Sequence, residues 1–196
     1  IASITSCSNV TGVFTPYHKI AELMHRYNGW CFVDFACSAP YIDIDMHPED
    51  PLEKLDAIFF SPHKFLGGPG STGILIFNRS LYDSHFSPDQ PGGGTVKWTN
   101  PWGEHSFYED VELREDGGTP PFMQTIKAAL AVKLKEEIGT KRIAIREKEI
   151  TKLVFSRLKL IPNLHLLAEN IEERLPVVSF YIDGMHYNLG VRLLND

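Results

Sequence analysis

The amino-acid sequence predicts an α/β domain with a mainly parallel sheet. Within the first 80 residues, short apolar runs alternate with a stretch of helical periodicity. The runs at residues 30–33, 57–60 and 72–77 are largely apolar at successive positions, which is typical of strands that are covered on both faces. Strands interleaved with helix in this way favour an α/β architecture.

Composition and charge narrow the class of protein. The chain has 196 residues, of which 43% are hydrophobic and 22% charged, and this excludes a disordered chain or a coiled coil. The net charge of −6 argues against binding to nucleic acid or to a membrane surface. No apolar run approaches the roughly 20 residues that a membrane-spanning helix needs.

The cysteines and the two ends of the chain carry further expectations. Three cysteines, Cys7, Cys31 and Cys37, form no CxxC pair, so we expect a reduced, cytoplasmic protein without a structural metal site. The sequence begins without Met inside a strand-like run and stops inside a helix-like one, at residues 187–196. We therefore expect a fragment of a longer protein, the alternative being a short native chain.

The first helix is predicted from its start and stop signals. Thr15 is placed to cap the helix and Pro16 to occupy its first position, and apolar residues follow at helical spacing as far as Tyr27. The pair Asn28-Gly29 then ends the helix.

The second half of the chain predicts a long loop followed by helices. Residues 84–105 contain three prolines and three successive glycines, and we expect an irregular, functional loop there. One helix is expected from Thr119-Pro120 to Ile138 and a second to Ile161. Strands at residues 164–167 and 177–182 and a last helix near Tyr187 complete the prediction. The break at Gly139 divides the chain into residues 1–138 and 139–196.

The segment Ser61-Pro62-His63-Lys64 follows the apolar run at residues 57–60. In an open α/β sheet, ligands bind at the carboxyl ends of the strands. A lysine between apolar strands and glycine turns is expected to be desolvated, which lowers its pKa and makes it a nucleophile for Schiff-base chemistry. The alternative is a turn with a surface lysine, and spacing alone does not decide between the two.

A glycine pattern in the same region resembles a dinucleotide-binding loop but is not followed by the helix that such a loop needs. Residues 68–73 fit the dinucleotide pattern G-x-G-x-x-G. That pattern needs a helix after it, whereas here an apolar strand follows. Binding of NAD is therefore kept only as a minor alternative.

Asp34 closes the second apolar run, again at a carboxyl end. A carboxylate in so apolar a place needs a partner. The partner of this carboxylate could be a cationic ring nitrogen of a cofactor. The alternative is that the carboxylate caps a helix or forms a salt bridge. Together, Asp34 and Lys64 indicate a lysine aldimine whose pyridinium nitrogen faces a carboxylate. A third segment at a strand's carboxyl end, residues 8–12, is by itself an ordinary turn.

Five segments in order resemble the class V aminotransferase family of pyridoxal-phosphate (PLP) enzymes, which includes cysteine desulfurases and selenocysteine lyases. They are Ser8-Asn9-Val10-Thr11-Gly12, Val33-Asp34-Phe35-Ala36, Ser61-Pro62-His63-Lys64, Gly92-Gly93-Gly94-Thr95-Val96 and Arg114-Glu115-Asp116-Gly117-Gly118-Thr119-Pro120. The resemblance implies the large domain of a PLP-dependent transferase of fold type I, N-terminally incomplete. It also implies the start of a small α+β C-terminal domain.

The resemblance also implies roles for individual residues. Lys64 resembles the lysine that forms the internal aldimine and later carries the proton, and Asp34 resembles the carboxylate that keeps the pyridine nitrogen protonated. The other cofactor-binding candidates are Ser61 and His63 at the phosphate, Asn9 near the phenolic oxygen, and Thr95, which reaches the phosphate of the other subunit in a homodimer. Arg114 is interpreted as structural.

The sequence departs from the family pattern in places that bear on function. Cys37 stands where desulfurases usually carry Gln, and we interpret it as a small filler. The family's phosphate-binding turn and ring-stacking aromatic would precede Ile1, and its substrate arginine and mobile-loop cysteine would follow Asp196. The prediction is a PLP enzyme acting on a small amino acid, either desulfurase- or lyase-like or an aminotransferase. The alternative is an inert fragment that folds and dimerises without competent cofactor binding.

Overall fold

The computed structural model describes residues 1–196, and its first half holds one α-helix between the first two of several short strands. None of its helices combines the length and the apolar character that crossing a membrane requires. The strands are β1 (Ala2–Thr5), β2 (Cys31–Asp34), β3 (Ala57–Phe60), β4 (Ile74–Phe77), β5 (Val96–Thr99), β6 (His105–Phe107), β7 (Leu164–Leu166) and β8 (Phe180–Ile182). The helices are α1 (Tyr17–Arg26), α2 (Val111–Glu115), α3 (Phe122–Ile138), α4 (Thr140–Leu158) and α5 (Tyr187–Asn195).

The central sheet has four strands in the order β1-β2-β3-β4. The first three strands are parallel, and β4 pairs antiparallel with β3. Ile4, Val33, Ile58 and Ile76 are aligned across the sheet, so their side chains share one face. The prediction of an α/β fold with a mainly parallel sheet is therefore confirmed.

The core lies between that face of the sheet and the helices α1 and α3. Phe35, which directly follows β2, is fully buried and meets the ring of Tyr17 edge-on, with 5.1 Å between ring centroids. Burying a side chain of this size contributes roughly 2 kcal/mol. The cluster consists of Ala21, Cys31, Val33, Phe35, Ala39, Leu55, Ile58, Phe65 and Ala131.

A buried hydrogen-bond network ties the end of α1 to the amino ends of the strands. His25 Nε2 lies 2.8 Å from the Asp56 carboxylate, which also accepts the backbone N–H of Cys31 at 2.8 Å. His25 Nδ1 faces the carbonyl oxygen of Leu52 at 2.6 Å. Both ring nitrogens of His25 thus face oxygen atoms. This network lies at the opposite edge of the sheet from the strand ends that carry Asp34 and Ser61.

The start of α1 differs from the prediction. Pro16, and not Thr15, occupies the N-cap position, and no side chain caps the helix. The helix is held by its apolar face: Ala21 is fully buried, and Ile20 and Met24 pack against the core. Packing therefore fixes the position of α1 without the expected cap.

The expectation of an irregular loop over residues 84–105 is wrong in part, because β5 lies inside it and pairs with β6 as a hairpin. Arg114 of α2 orders this region. Its guanidinium donates hydrogen bonds to the carbonyl oxygens of Ser84, Phe86 and Tyr108 and lies 4.9 Å from the centre of the Phe107 ring. The side chain is 8% exposed, which agrees with a structural role.

The C-terminal elements follow the predicted order with different bounds. Helix α3 begins at Phe122, a turn later than expected, and α4 ends at Leu158, before Ile161. Strand β8 is confined to Phe180–Ile182 and pairs with β7. Gly139 joins the two long helices with a φ of +85°, a conformation that favours glycine. The division into residues 1–138 and 139–196 stays a prediction.

Candidate cofactor-binding site

The loop after β3 presents the predicted lysine. Pro62–Lys64 form a single 3-10 turn, and the N–H of Lys64 donates to the carbonyl oxygen of Ser61 at 3.0 Å. Pro62 is buried, which anchors the turn, whereas His63 and Lys64 are exposed. The hydroxyl of Ser61 does not cap the turn and stays free for another partner.

The exposure of Lys64 bears on a choice that the sequence left open, between a desolvated lysine and a turn with a surface lysine. The side chain lies open to solvent because the 3-10 turn carries it beyond the end of β3. The structure therefore matches the alternative of a turn with a surface lysine.

A second lysine lies at the same cleft and was not predicted. His63 and Lys64 line an open cleft of about 530 Å³, together with Phe65 and, from α3, Lys135. Lys135 is half-buried, and desolvation lowers its pKa below the usual range. Its Nζ donates to the carbonyl oxygen of Ile42 and lies 5.8 Å from the centre of the Phe65 ring.

The same loop contains a buried hydroxyl without a partner. Ser71 Oγ is buried and makes no hydrogen bond, although the backbone N–H of Ser71 donates to Gly68 O at 3.0 Å. A buried hydroxyl normally has a partner, so this atom is available to a ligand at the loop.

Asp34 lies at the carboxyl end of β2 on the face of the sheet opposite to Val33. Its Oδ1 accepts the backbone N–H of Ala36 at 2.7 Å, which is the cap-like contact that was left as the alternative. No ion pair to the carboxylate forms. The second oxygen, Oδ2, has no hydrogen-bond partner within the chain and can still accept one.

The turn at residues 8–12 follows β1 and carries Asn9 at its exposed tip. Ser8 Oγ accepts the backbone N–H groups of Val10 and Thr11, at 3.2 and 3.1 Å. The turn is held from outside by Arg174, which donates to the carbonyl oxygen of Thr11. No local pattern in the sequence indicates this contact, which joins residues 163 positions apart.

Thr95 is bound within its own turn. Its side chain is fully buried, and its hydroxyl donates to the carbonyl oxygen of Gly92 at 2.7 Å. In this conformation the hydroxyl is engaged within the chain.

The candidate residues fall into two groups. His63 and Lys64 share the cleft with Lys135, whereas Asn9, Asp34 and Ser61 lie at the ends of β1, β2 and β3 and do not line that cleft. Thr95 lies apart from both, beside the β5–β6 hairpin.

Comparison with known proteins decides the family. The whole chain, residues 1–196, matches the family described as Aminotransferase class-V. The chain belongs to the class V aminotransferase family. A cysteine desulfurase of Haloferax volcanii is 28% identical over 198 residues, which cover all of this chain and 44% of the relative.

Two solved structures place this member of the class V aminotransferases in the expected fold. The apo cysteine desulfurase of Thermococcus onnurineus NA1 superposes with a TM-score of 0.81 at 25% identity, covering 99% of this chain and 47% of that one. A C-DES variant with glycine covalently linked to its PLP cofactor superposes with a TM-score of 0.77 at 21% identity. The match covers 98% of this chain and 50% of that one. The chain thus spans about half the length of the relatives it matches.

The residues of this class V chain fit PLP in part. The cofactor needs an acceptor for its ring nitrogen and donors for its phosphate. The free oxygen of Asp34, the free hydroxyl of Ser61 and the unpartnered Ser71 Oγ supply such groups at one edge of the sheet. The hydroxyl of Thr95, already bonded to Gly92, does not.

Proposed function

We propose that this chain is the cofactor-binding part of a PLP-dependent enzyme that acts on a small amino acid, with removal of sulfur from cysteine as the favoured reaction. The observation that carries the proposal is the placement of Asp34 and the Ser61–Lys64 turn at the carboxyl ends of adjacent strands in a class V chain. The cysteine desulfurases among its relatives support the choice of substrate.

Each residue has a defined task in this proposal. The free oxygen of Asp34 accepts a hydrogen bond from the protonated ring nitrogen, Ser61 and His63 donate to the phosphate, and Asn9 donates to the phenolic oxygen. Lys64 holds the cofactor through Nζ and afterwards takes the proton from the substrate's Cα. When bound, PLP supplies an electron sink for the negative charge that this proton transfer leaves.

Some observations favour the alternative, in which these 196 residues alone do not hold the cofactor competently. Lys64 and His63 are exposed, Asp34 does not line their cleft, and the Thr95 hydroxyl is bonded within its own turn. In this alternative, the chain keeps the family fold but needs further polypeptide to complete the site.

The two candidates are separated by mapping where PLP attaches. The purified chain is mixed with PLP, reduced with borohydride and digested, and the modified lysine is found by mass spectrometry. We expect the label on Lys64, lost in Lys64→Ala and retained in Lys135→Ala. Lys135 is the matched control because it lines the same cleft and desolvation lowers its pKa, which favours reaction with a non-specific aldehyde.

Each outcome has a definite meaning. A label on Lys135 that persists in Lys64→Ala would overturn the role of Lys64. A folded chain that takes no label, as judged by its circular dichroism, would establish the inert-fragment alternative for this polypeptide.

We also propose that the protein forms a homodimer and resides in the cytoplasm. One face of α3 exposes Phe122, Ile126 and Leu130, spaced four residues apart. A second protomer would cover this apolar stripe. The three free thiols are compatible with a reducing compartment.

A further inference from the structure

Two cysteines meet beside the ends of β1 and β2. The segments that follow these strands run side by side, as shown by the 2.6 Å hydrogen bond between the hydroxyls of Ser6 and Ser38. Cys7 Sγ and Cys37 Sγ both point to the carbonyl oxygen of Ser8, at 3.7 and 3.9 Å. The two thiols are therefore neighbours, although 30 residues of sequence separate them.

The two thiols differ in access. Cys37 is partly exposed, whereas Cys7 is fully buried and also donates to the carbonyl oxygen of Gly12 at 3.1 Å. Burial raises the pKa of the Cys7 thiol, and the side chain of Cys37 raises it further. A reagent in solution reaches Cys37 first, and Cys7 is placed to react with the modified sulfur of Cys37.

The third cysteine provides a contrast. Cys31 is also fully buried, but its side chain lies in the core cluster between the sheet and the helices. Burial, followed by the nearby Asp56, raises the pKa of Cys31 to about 11. Cys31 begins β2, whereas Cys7 and Cys37 lie beyond the carboxyl ends of β1 and β2, so Cys31 stands at the other end of the strand.

We propose that Cys7 and Cys37 form a redox-active thiol pair that a small-molecule disulfide converts into an intramolecular disulfide. The Cys37 thiolate attacks one sulfur of the reagent, whose S–S bond breaks and releases one thiol. The Cys7 thiolate then attacks the Cys37 sulfur, which breaks the mixed disulfide and releases the second thiol. The protein loses two electrons and two protons, and the reagent disulfide gains them as two thiols.

The new bond would link the two segments that carry the candidate cofactor ligands. Cys7 lies two residues before Asn9, and Cys37 lies three residues after Asp34. Drawing the sulfurs together constrains both segments, so we expect the oxidised chain to take up less PLP. This consequence rests on the proposed function, whereas formation of the disulfide does not.

The test maps the disulfide without using PLP. The full chain is incubated with oxidised glutathione, alkylated and digested without reduction. Chymotrypsin, which cleaves after Phe35, places Cys31 and Cys37 on separate peptides. We expect one Cys7–Cys37 cross-link and an alkylated Cys31. Because the thiolate is the nucleophile and burial raises the pKa of the Cys7 thiol, the rate of cross-linking is expected to rise about tenfold from pH 7 to pH 8.

Three serine variants sharpen the result. Cys31→Ser is expected to cross-link like the wild type, Cys7→Ser to accumulate glutathione on Cys37, and Cys37→Ser to form no cross-link. Three free thiols after oxidation of the wild type, or a cross-link to Cys31, would overturn the proposal. If the cross-link forms but the reduced chain binds no PLP, the thiol pair stands and the proposed function fails.

Discussion

Gly68 shapes the loop that presents Lys64. Its backbone N–H donates to the carbonyl oxygen of Phe65 at 2.9 Å, which folds the chain back over the 3-10 turn. A Cβ added at this position would overlap the carbonyl oxygen of Pro62, an atom of the backbone that cannot rotate away. Five residues later, Gly73 has no neighbouring atom within 4 Å of such a Cβ.

We expect Gly68→Ala to destabilise the chain by about 3 kcal/mol, because the loop must shift to relieve the overlap. Gly73→Ala is the matched control, and its free energy of unfolding is expected to stay within about 1 kcal/mol of the wild type. Urea unfolding followed by circular dichroism measures both. Equal stabilities of the two variants would show that the loop does not need a glycine at position 68.

At the scale of single residues, some of the candidate site could be predicted and some could not. Asp34 and Lys64 were identified because both follow apolar runs, and the polar ends of buried strands are visible in a sequence. The contact of Lys135 with Ile42 spans 93 residues and that of Arg174 with Thr11 spans 163, and no local pattern encodes such pairings. The exposure of Lys64 likewise depends on where the 3-10 turn directs it.

At the scale of the elements, the segment before β8 holds the turn at residues 8–12 in place through hydrogen bonds. Besides Thr11, Arg174 donates to the carbonyl oxygens of Leu167, Ala168 and Val177, and its guanidinium lies 4.8 Å from the centre of the Phe155 ring. These contacts join α4, the β7–β8 region and the turn that carries Asn9. One side chain thus connects the C-terminal elements to the candidate site.

A backbone hydrogen bond also joins the segment of Arg174 to the turn at residues 8–12. The N–H of Leu175 donates to the carbonyl oxygen of Gly12 at 2.9 Å, and Val13 forms a bridge with Arg174. A side chain at position 12 would meet the carbonyl oxygen of Leu175, and φ is +75° there, so glycine is required for this close approach.

We expect Arg174→Ala to destabilise the chain by about 3 kcal/mol, because four carbonyl oxygens lose a charged donor. Hydrogen exchange at the amides of Gly12 and Leu175 is expected to accelerate, since both lie where the turn contacts the segment of Arg174. Arg157→Ala, which removes an exposed arginine from α4, is the control. It should leave the free energy of unfolding and the exchange at these two amides unchanged. Unchanged exchange in Arg174→Ala would mean that the backbone contact alone holds the turn.

Prediction of the strands succeeded for β3 and failed for β5, and the two differ in hydrophobicity and burial. Strand β3 was placed correctly because Ala57 and Ile58 are buried and the run is apolar throughout. Strand β5 was missed because its residues Lys97, Trp98 and Thr99 are exposed and follow a glycine-rich stretch. Helix α2 is only five residues long and is capped by Asp110, a signal too short to separate from a turn.

At the scale of the whole molecule, α3 has two different apolar faces. Ala128 and Ala131 face the core and are almost fully buried. On the other side, Phe122, Ile126 and Leu130 are 65%, 54% and 61% exposed. Contiguous apolar side chains are seldom left exposed, so these three are expected to be buried against another polypeptide.

If that polypeptide is a second copy of this chain, charges on the exposed face of α3 will separate the two protomers. The double variant Ile126→Asp and Leu130→Asp is expected to elute as a monomer in size-exclusion chromatography with light scattering, whereas the wild type has twice that mass. Ile145→Asp, at a site on α4 that is 63% exposed, adds a charge away from the stripe and should remain dimeric. A monomeric wild type, or dissociation of the control as well, would show that this face of α3 is not the dimer interface.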